Sequence, residues 1–193
     1  MSSAIDICNQ ALLLLGASPI VSFEDDTVEA DALQVHYAPT KKAFLRGYAW
    51  NCAIQTVTVA LLADKPLRYD YAFAWPDDAL RIIDVIDASH NGQRMEWEVE
   101  GRTIHTNFKD VYVRAVMNIP EPQLDAHVED AFMYALARKL SYTLTSDTAR
   151  ETNIDTLYEK ALMEARTTDA QEASHKVFRI KQLDAVRHGG RYI

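Results

Sequence analysis

Residues 66–86 read Pro-Leu-Arg-Tyr-Asp-Tyr-Ala-Phe-Ala-Trp-Pro-Asp-Asp-Ala-Leu-Arg-Ile-Ile-Asp-Val-Ile. Tyr69, Tyr71, Phe73 and Trp75 stand at every second position, so an extended segment puts all four rings on one face. Pro76 lacks an amide hydrogen and has a fixed φ, which stops the strand at the Trp75–Pro76 step. Asp77 and Asp78 suit the turn that follows, and Leu80, Ile82, Ile83, Val85 and Ile86 open another apolar strand. The centre of the chain therefore reads as a β-meander whose rings serve core packing or an interface.

The same period of two extends on both sides. Val57, Val59 and Leu61 alternate with Thr56, Thr58 and Ala60; Met95, Trp97 and Val99 alternate with Glu96, Glu98 and Glu100. Val111, Val113, Ala115 and Met117 repeat the pattern after a turn at 107–110, and Asn91-Gly92 is a strong hairpin signal. No crossover helix fits between these runs, so a sheet of about four to six strands, mostly antiparallel, is expected.

Outside this block the period becomes helical. Ile5, Cys8, Leu12 and Leu15 form a stripe capped by Ser2 or Ser3 and stopped by Gly16. A second helix begins near Asp25 or Asp26 and carries Val28, Ala32, Val35, Ala43, Phe44 and Tyr48, with a kink or break at Pro39. After Pro120, Pro122 suits a first-turn position, and Leu124, Val128, Phe132, Ala135, Leu136, Leu140 and Leu144 give a long apolar face. Thr148 and Glu151 have capping-box spacing. The last helix carries Ile154, Leu157, Tyr158, Ala161, Leu162 and Ala165 and runs toward Phe178. Its half from Thr167 to Lys176 is too polar to bury alone, so it is expected to project or to pack on a neighbouring copy.

The fold class read from this order is α+β. About four helices form an antiparallel bundle (1–52 and 120–178), a mostly antiparallel β insertion occupies 53–119, and 179–193 is an extended C-terminal arm.

Of 193 residues, 48% are hydrophobic and 25% charged, the balance of an ordinary globular chain. Two cysteines, Cys8 and Cys52, make no disulfide framework and no metal-ligand spacing, which points to a reducing compartment. No secretory leader is read at the N-terminus, and the longest apolar run, Ala11 to Ala17, falls far short of the ~20 residues of a membrane span. With 20 basic against 28 acidic residues the chain is a poor partner for phosphate backbones. The segment from Lys176 departs from that average: Lys176, Arg179, Lys181, Arg187 and Arg191 face only Asp184.

Catalytic signatures are missing from the sequence. His36, His90, His105, His127, His175 and His188 show no zinc-site spacing, and no glycine-rich phosphate loop or nucleophile elbow occurs. Asp25-Asp26 and Asp77-Asp78 have structural work at turns, and Glu96, Glu98 and Glu100 form an acidic stripe without a placed partner. Cys8 lies on an apolar helix face and reads as core. No catalytic, cofactor or metal residue is assigned.

Three stretches do match a known pattern. They are Ala11-Leu-Leu-Leu-Leu-Gly16-Ala-Ser-Pro-Ile-Val21, Lys42-Ala-Phe-Leu-Arg46-Gly-Tyr-Ala-Trp50-Asn51, and Tyr71-Ala-Phe73-Ala-Trp75-Pro76-Asp77-Asp78-Ala-Leu80-Arg81. In this order, with helices on either side of a β insertion, they resemble the phage head-to-tail adaptors of the tail tubular protein A (gatekeeper) family of short-tailed phages. The resemblance implies a structural virion protein without enzymatic activity, assembled in the bacterial host cytoplasm. It implies a ring, usually dodecameric, between the portal protein and the downstream tail or nozzle protein, with the isolated chain a monomer. It also implies a C-terminal arm directed at the portal, here Arg179, Lys181, Arg187, Arg191, Tyr192 and Ile193. An acidic lumen lets DNA pass without specific binding. Tyr69, Tyr71, Phe73, Trp75 and Trp97 are the insertion residues expected in packing or in an interface. Pro39 is not recognisable as part of the pattern. Two other readings remain at this stage: an interaction module of another phage or bacterial assembly, and a glycan hydrolase using Glu96 and Glu98 or Asp77 and Asp78.

Overall fold

Local caps decide where each helix begins. A computed structural model describes residues 2–88, 96–145 and 147–172. Helix α1 (Ala4–Leu15) starts behind Ser3, whose hydroxyl accepts the Asp6 N–H (3.1 Å) while the Asp6 carboxylate accepts the Ser3 N–H (2.8 Å). It ends at Gly16, where φ is 68° and a Cβ would stand 2.9 Å from the Arg150 guanidinium. The buried stripe is Ile7, Cys8, Ala11, Leu12 and Leu15, with Ile5 only half-buried.

Helix α2 (Val28–Gly47) corrects three expectations. It begins behind Thr27, whose hydroxyl accepts the Ala30 N–H (3.2 Å). Asp25 instead turns the preceding loop, accepting the Val21 and Ser22 N–H groups at 2.7 and 3.1 Å. Its buried face is Ala30, Leu33, Tyr37, Thr40, Lys41 and Phe44, leaving Val28 and Val35 largely exposed. The stripe includes a lysine, which a purely apolar template discards. The helix runs through Pro39 without a break. Pro39 and Val35 are both exposed, so the Val35 carbonyl that loses its helical donor can be solvated.

The β block is two antiparallel three-stranded sheets rather than one. Strands β1 (Ile54–Thr58), β6 (Val111–Met117) and β3 (Ala79–Asp87) make the first in the order β1-β6-β3. Strands β2 (Tyr71–Ala74), β5 (Thr103–Thr106) and β4 (Trp97–Glu100) make the second in the order β2-β5-β4. The chain leaving β1 links them: Ala74 N–H donates to the Ala60 carbonyl (2.9 Å) and Leu62 N–H to the Ala72 carbonyl (2.8 Å). One run of chain thus borders β6 first and β2 afterwards.

The four-ring stripe is corrected too. β2 covers only Tyr71–Ala74, and both Ala72 and Phe73 are buried, so both faces of this strand are covered and strict alternation is lost. Tyr69 precedes the strand and lies against His105, with ring centroids 6.4 Å apart. Trp75 follows it, its indole N–H donating to the Ala79 carbonyl (2.8 Å) and its ring beneath the Arg102 guanidinium (5.4 Å). Asp78 takes a left-handed φ of 57°, which aspartate tolerates better than most residues, and its carbonyl accepts the Asn118 N–H at 2.8 Å. The Asn91-Gly92 hairpin and Met95 lie outside the described residues.

The chain returns to helix through a 3₁₀ turn (Glu121–Gln123), which holds Pro122; α3 (Ala126–Leu144) starts later, behind Asp125. Helix α4 (Thr148–Glu172) is capped by the Asp147 carboxylate, which accepts from the Ala149 and Arg150 N–H groups, and not by the Thr148–Glu151 box. Helix α3 packs against α1, α2 and α4. Arg138 on α3 pairs with Asp155 on α4 (2.7 Å) and lies over the Tyr158 ring. Phe132 meets Tyr37 edge-on and Phe44 at a tilt, both with centroids 5.7 Å apart, and Phe44 stacks on Trp50 at 5.4 Å. The buried cluster continues from these helices to Phe73, Ile82, Val85, Ile104 and Val113 in the strands.

Pro39→Ala restores a donor to α2 at an exposed position and is expected to stabilise the chain by about 1–3 kcal/mol. Urea denaturation measures this; a lower midpoint would show that α2 needs the proline ring.

Candidate functional site

The chain crosses between helices and strands twice, outward through Tyr48–Ala53 and back through Asn118–Asp125, and the buried polar chemistry collects at these crossings. On the return, Glu121 accepts from Lys41 Nζ (2.6 Å) and from the Tyr37 hydroxyl (2.9 Å). The side chains of Lys41 and Glu121 are only 11% and 19% exposed. Burial pushes the Glu121 carboxyl up, but hydrogen bonds from Lys41, its own backbone and Tyr37, with the Lys41 charge, outweigh that and leave it below its ordinary value. Tyr37 is raised, by burial first and by Glu121 second. Cys8 lies in the same field: burial, then the Glu121 charge, pushes its thiol up to about 12, which makes it a poor nucleophile.

On the outward crossing, Tyr48 and Trp50 touch with centroids 4.6 Å apart, and Arg166 of α4 lies 5.4 Å over the Tyr48 ring. Trp50 is fully buried, and its indole N–H has no hydrogen-bond partner among the described residues, so apolar stacking holds the ring. Asn51 binds α4 twice: its backbone N–H donates to the Asp169 carboxylate (2.7 Å) and its side-chain amide to the Asp169 carbonyl (2.6 Å). Asp169 is 8% exposed, and burial lifts its carboxyl above the usual range, the Asp125 charge adding to the rise against the Asn51 bond. Cys52 is raised by burial despite a hydrogen bond from the Asp125 backbone. The end of α4 is thus docked on its own chain as far as Asp169, where the sequence suggested projection or packing on a neighbouring copy.

The other candidates are dispersed. Phe73 is buried; Tyr69, Tyr71, Trp75 and Trp97 are half-buried. Glu98 pairs with Arg68 (3.3 Å) and Glu100 lies 3.7 Å from His105. Asp77 and Asp78 are both exposed at their turn. The arm residues Arg179, Lys181, Arg187, Arg191, Tyr192 and Ile193 lie outside the described residues, as do His90, His175, His188 and the expected continuation of the last helix toward Phe178. Among the described residues no group of three or more His, Cys, Asp or Glu could hold a metal, and no helix is long and apolar enough to cross a membrane.

No family model matches the chain, and no curated protein matches it. The crossings were missed in the sequence because their residues look ordinary singly. A usable signal existed: Asp169 continues the 154-158-161-165 stripe of α4, and Lys41 falls on the Tyr37–Phe44 face of α2.

Glu121→Gln removes the charge that Lys41 and Tyr37 hold, with an expected loss of roughly 2–4 kcal/mol near neutral pH. The pH dependence has a definite sign. Glu121 releases its proton more readily when folded, so its contribution is present above the ordinary value of 4.5 and fades as pH falls through the lowered one. Urea midpoints measured from pH 7 down to about pH 3 should converge for parent and Gln variant; a gap independent of pH would show that packing, not charge, is responsible.

Proposed function

We propose that this chain is a non-enzymatic structural subunit of a phage-type head-to-tail adaptor, a ring between portal and tail through which DNA passes. The observation that carries the reading is the ordered set of motif residues around the outward crossing and the β2–β3 turn. Arg46, Trp50, Asn51, Trp75, Pro76, Asp77, Leu80 and Arg81 occur in the sequence in the order of the family pattern. Several have specific work: Arg46 donates to the Leu80 carbonyl, joining α2 to β3, and Trp50 and Asn51 anchor the crossing. Two helices, a β unit and two helices also match the expected layout.

Charge supports the same reading. From Met1 to Glu172 there are 27 acidic and 15 basic residues; from Ala173 onward there are five basic and one acidic. An acidic body around a lumen repels the phosphate backbone and leaves passing DNA unbound. The basic terminal segment is suited to an acidic partner surface, which this reading assigns to the portal. The exposed face of α4, with Glu159, Met163, Arg166, Thr167 and Ala170, is available for ring contacts, which need on the order of 1,000 Å² to persist. In this reading the subunit is assembled in the host cytoplasm, carried in the virion, and contacts a tail or nozzle protein on its far side.

The test is mass-resolved light scattering of the full chain alone and mixed with the portal protein encoded beside it. A monomer that joins a ring-sized complex, and fails to when residues 179–193 are deleted, is the expected result. No complex with the intact chain would overturn the adaptor reading.

A further inference from the structure

We propose that Asp169 and Asn51 form a clamp through which the C-terminal end of α4 holds the β strands in register on the helices. This goes beyond the adaptor reading and does not depend on it.

The clamp is built from contacts at one place. The last described turns of α4 are thinly attached: Arg166, Thr167, Ala170, Gln171 and Glu172 are exposed, and Ala165 and Asp169 are the buried positions. Beyond Ala165, the contacts that hold these turns fall on the outward crossing: Arg166 over Tyr48, and Asp169 against Asn51. Asn51 opens the short 3₁₀ turn (Asn51–Ala53) that leads directly into β1 at Ile54. It gives both its backbone and its side-chain donor to one α4 residue, so α4 fixes the position from which β1 starts. The docked state is not deeply favoured, because it withdraws a carboxylate from water and offsets part of what the two hydrogen bonds contribute.

Such an arrangement transmits. When the end of α4 leaves its seat, Asn51 loses both partners, and β1, which pairs with β6 from Ile54 onward, loses the contact that holds its start on α4. Since the chain after β1 also borders β2, the loosening reaches the second sheet. A load on the chain just beyond Glu172 is thereby reported in the strands. In this proposal the element that moves is the pair of final α4 turns, and its reporter is the Ile54–Leu62 run.

Hydrogen exchange on the full chain tests this without any partner. In Asp169→Ala, amides of 51–58 should accelerate relative to those of α1 by at least about tenfold, together with 165–172. Acceleration confined to 165–172 would overturn the proposal, because the helix end would then fray without consequence. Equal acceleration in β1 and α1 would overturn it as well, because the residue would then serve only global stability. Asp169→Asn keeps an acceptor oxygen for the Asn51 backbone N–H and guards against a misfolded alanine variant. It should keep 51–58 within about threefold of the parent rate, and exchange in β1 an order of magnitude faster with α1 unchanged would remove the acceptor's role.

Discussion

The ion pair of Glu121 and Lys41 fixes the relation of strands to helices. A chain that leaves a helical layer, builds sheets and returns has two ends to hold, and loose ends would let the β unit swing. Glu121 is the first residue of the returning turn, and Lys41 and Tyr37 sit one helical turn apart on the buried face of α2. Removing two charges from water is costly, and it is offset here because the carboxylate accepts from an ammonium and a phenol at once. Around this point the aromatic chain Tyr37–Phe132–Phe44–Trp50 carries the packing from return to departure. The two crossings are thereby parts of one assembly.

Helix α3 then has the most demanding sequence. It packs against three helices at once, and Val128, Ala131, Phe132, Met133, Ala135, Leu136, Ala137 and Leu140 are all buried. Small alanines let neighbours approach closely, and Phe132 packs against Tyr37 and Phe44 of α2. Helix α4, by contrast, keeps one narrow buried stripe and a polar outer side. A helix of that kind is stable against its neighbour and still presents most of its surface to something else.

The α+β class, the helix–helix–strands–helix–helix order and the antiparallel pairing were legible because each depends on period and punctuation. Gly16 stops α1 and Val111–Ala115 alternate as their residue types require, though β6 ends in three consecutive buried residues, Ala115, Val116 and Met117. What misled was local competition. Asp25 resembled a helix cap but serves a tighter loop, and Asp147 took the position the Thr148 box suggested. Pro39 resembled a break, yet on a solvated face its missing donor is tolerable. The stripe Tyr69–Trp75 failed at both ends because pairing stops before the periodicity does. At the crossings the helical stripes place Lys41 and Asp169 among buried positions, but what each does there depends on a partner 80 or 118 residues away.

The run from Ile54 to Leu62 borders a strand in each sheet, and this has a kinetic side. The β4–β5 pairing, with Trp97 opposite Thr106, and the β3–β6 pairing join neighbouring stretches and can form early. The β1–β6 pairing sets Ile54 opposite Val116, so it must enclose nearly the whole insertion before it closes. Until then both sheets keep an open edge, and the nascent chain is most exposed to pairing with another molecule. Closure of this single strand covers the free side of β6 and, through Ala60–Leu62, that of β2 in one step, leaving β1, β3 and β4 as the outer strands. The vulnerable interval during synthesis therefore ends only after Met117 has emerged, when β6 is available to receive the strand made first.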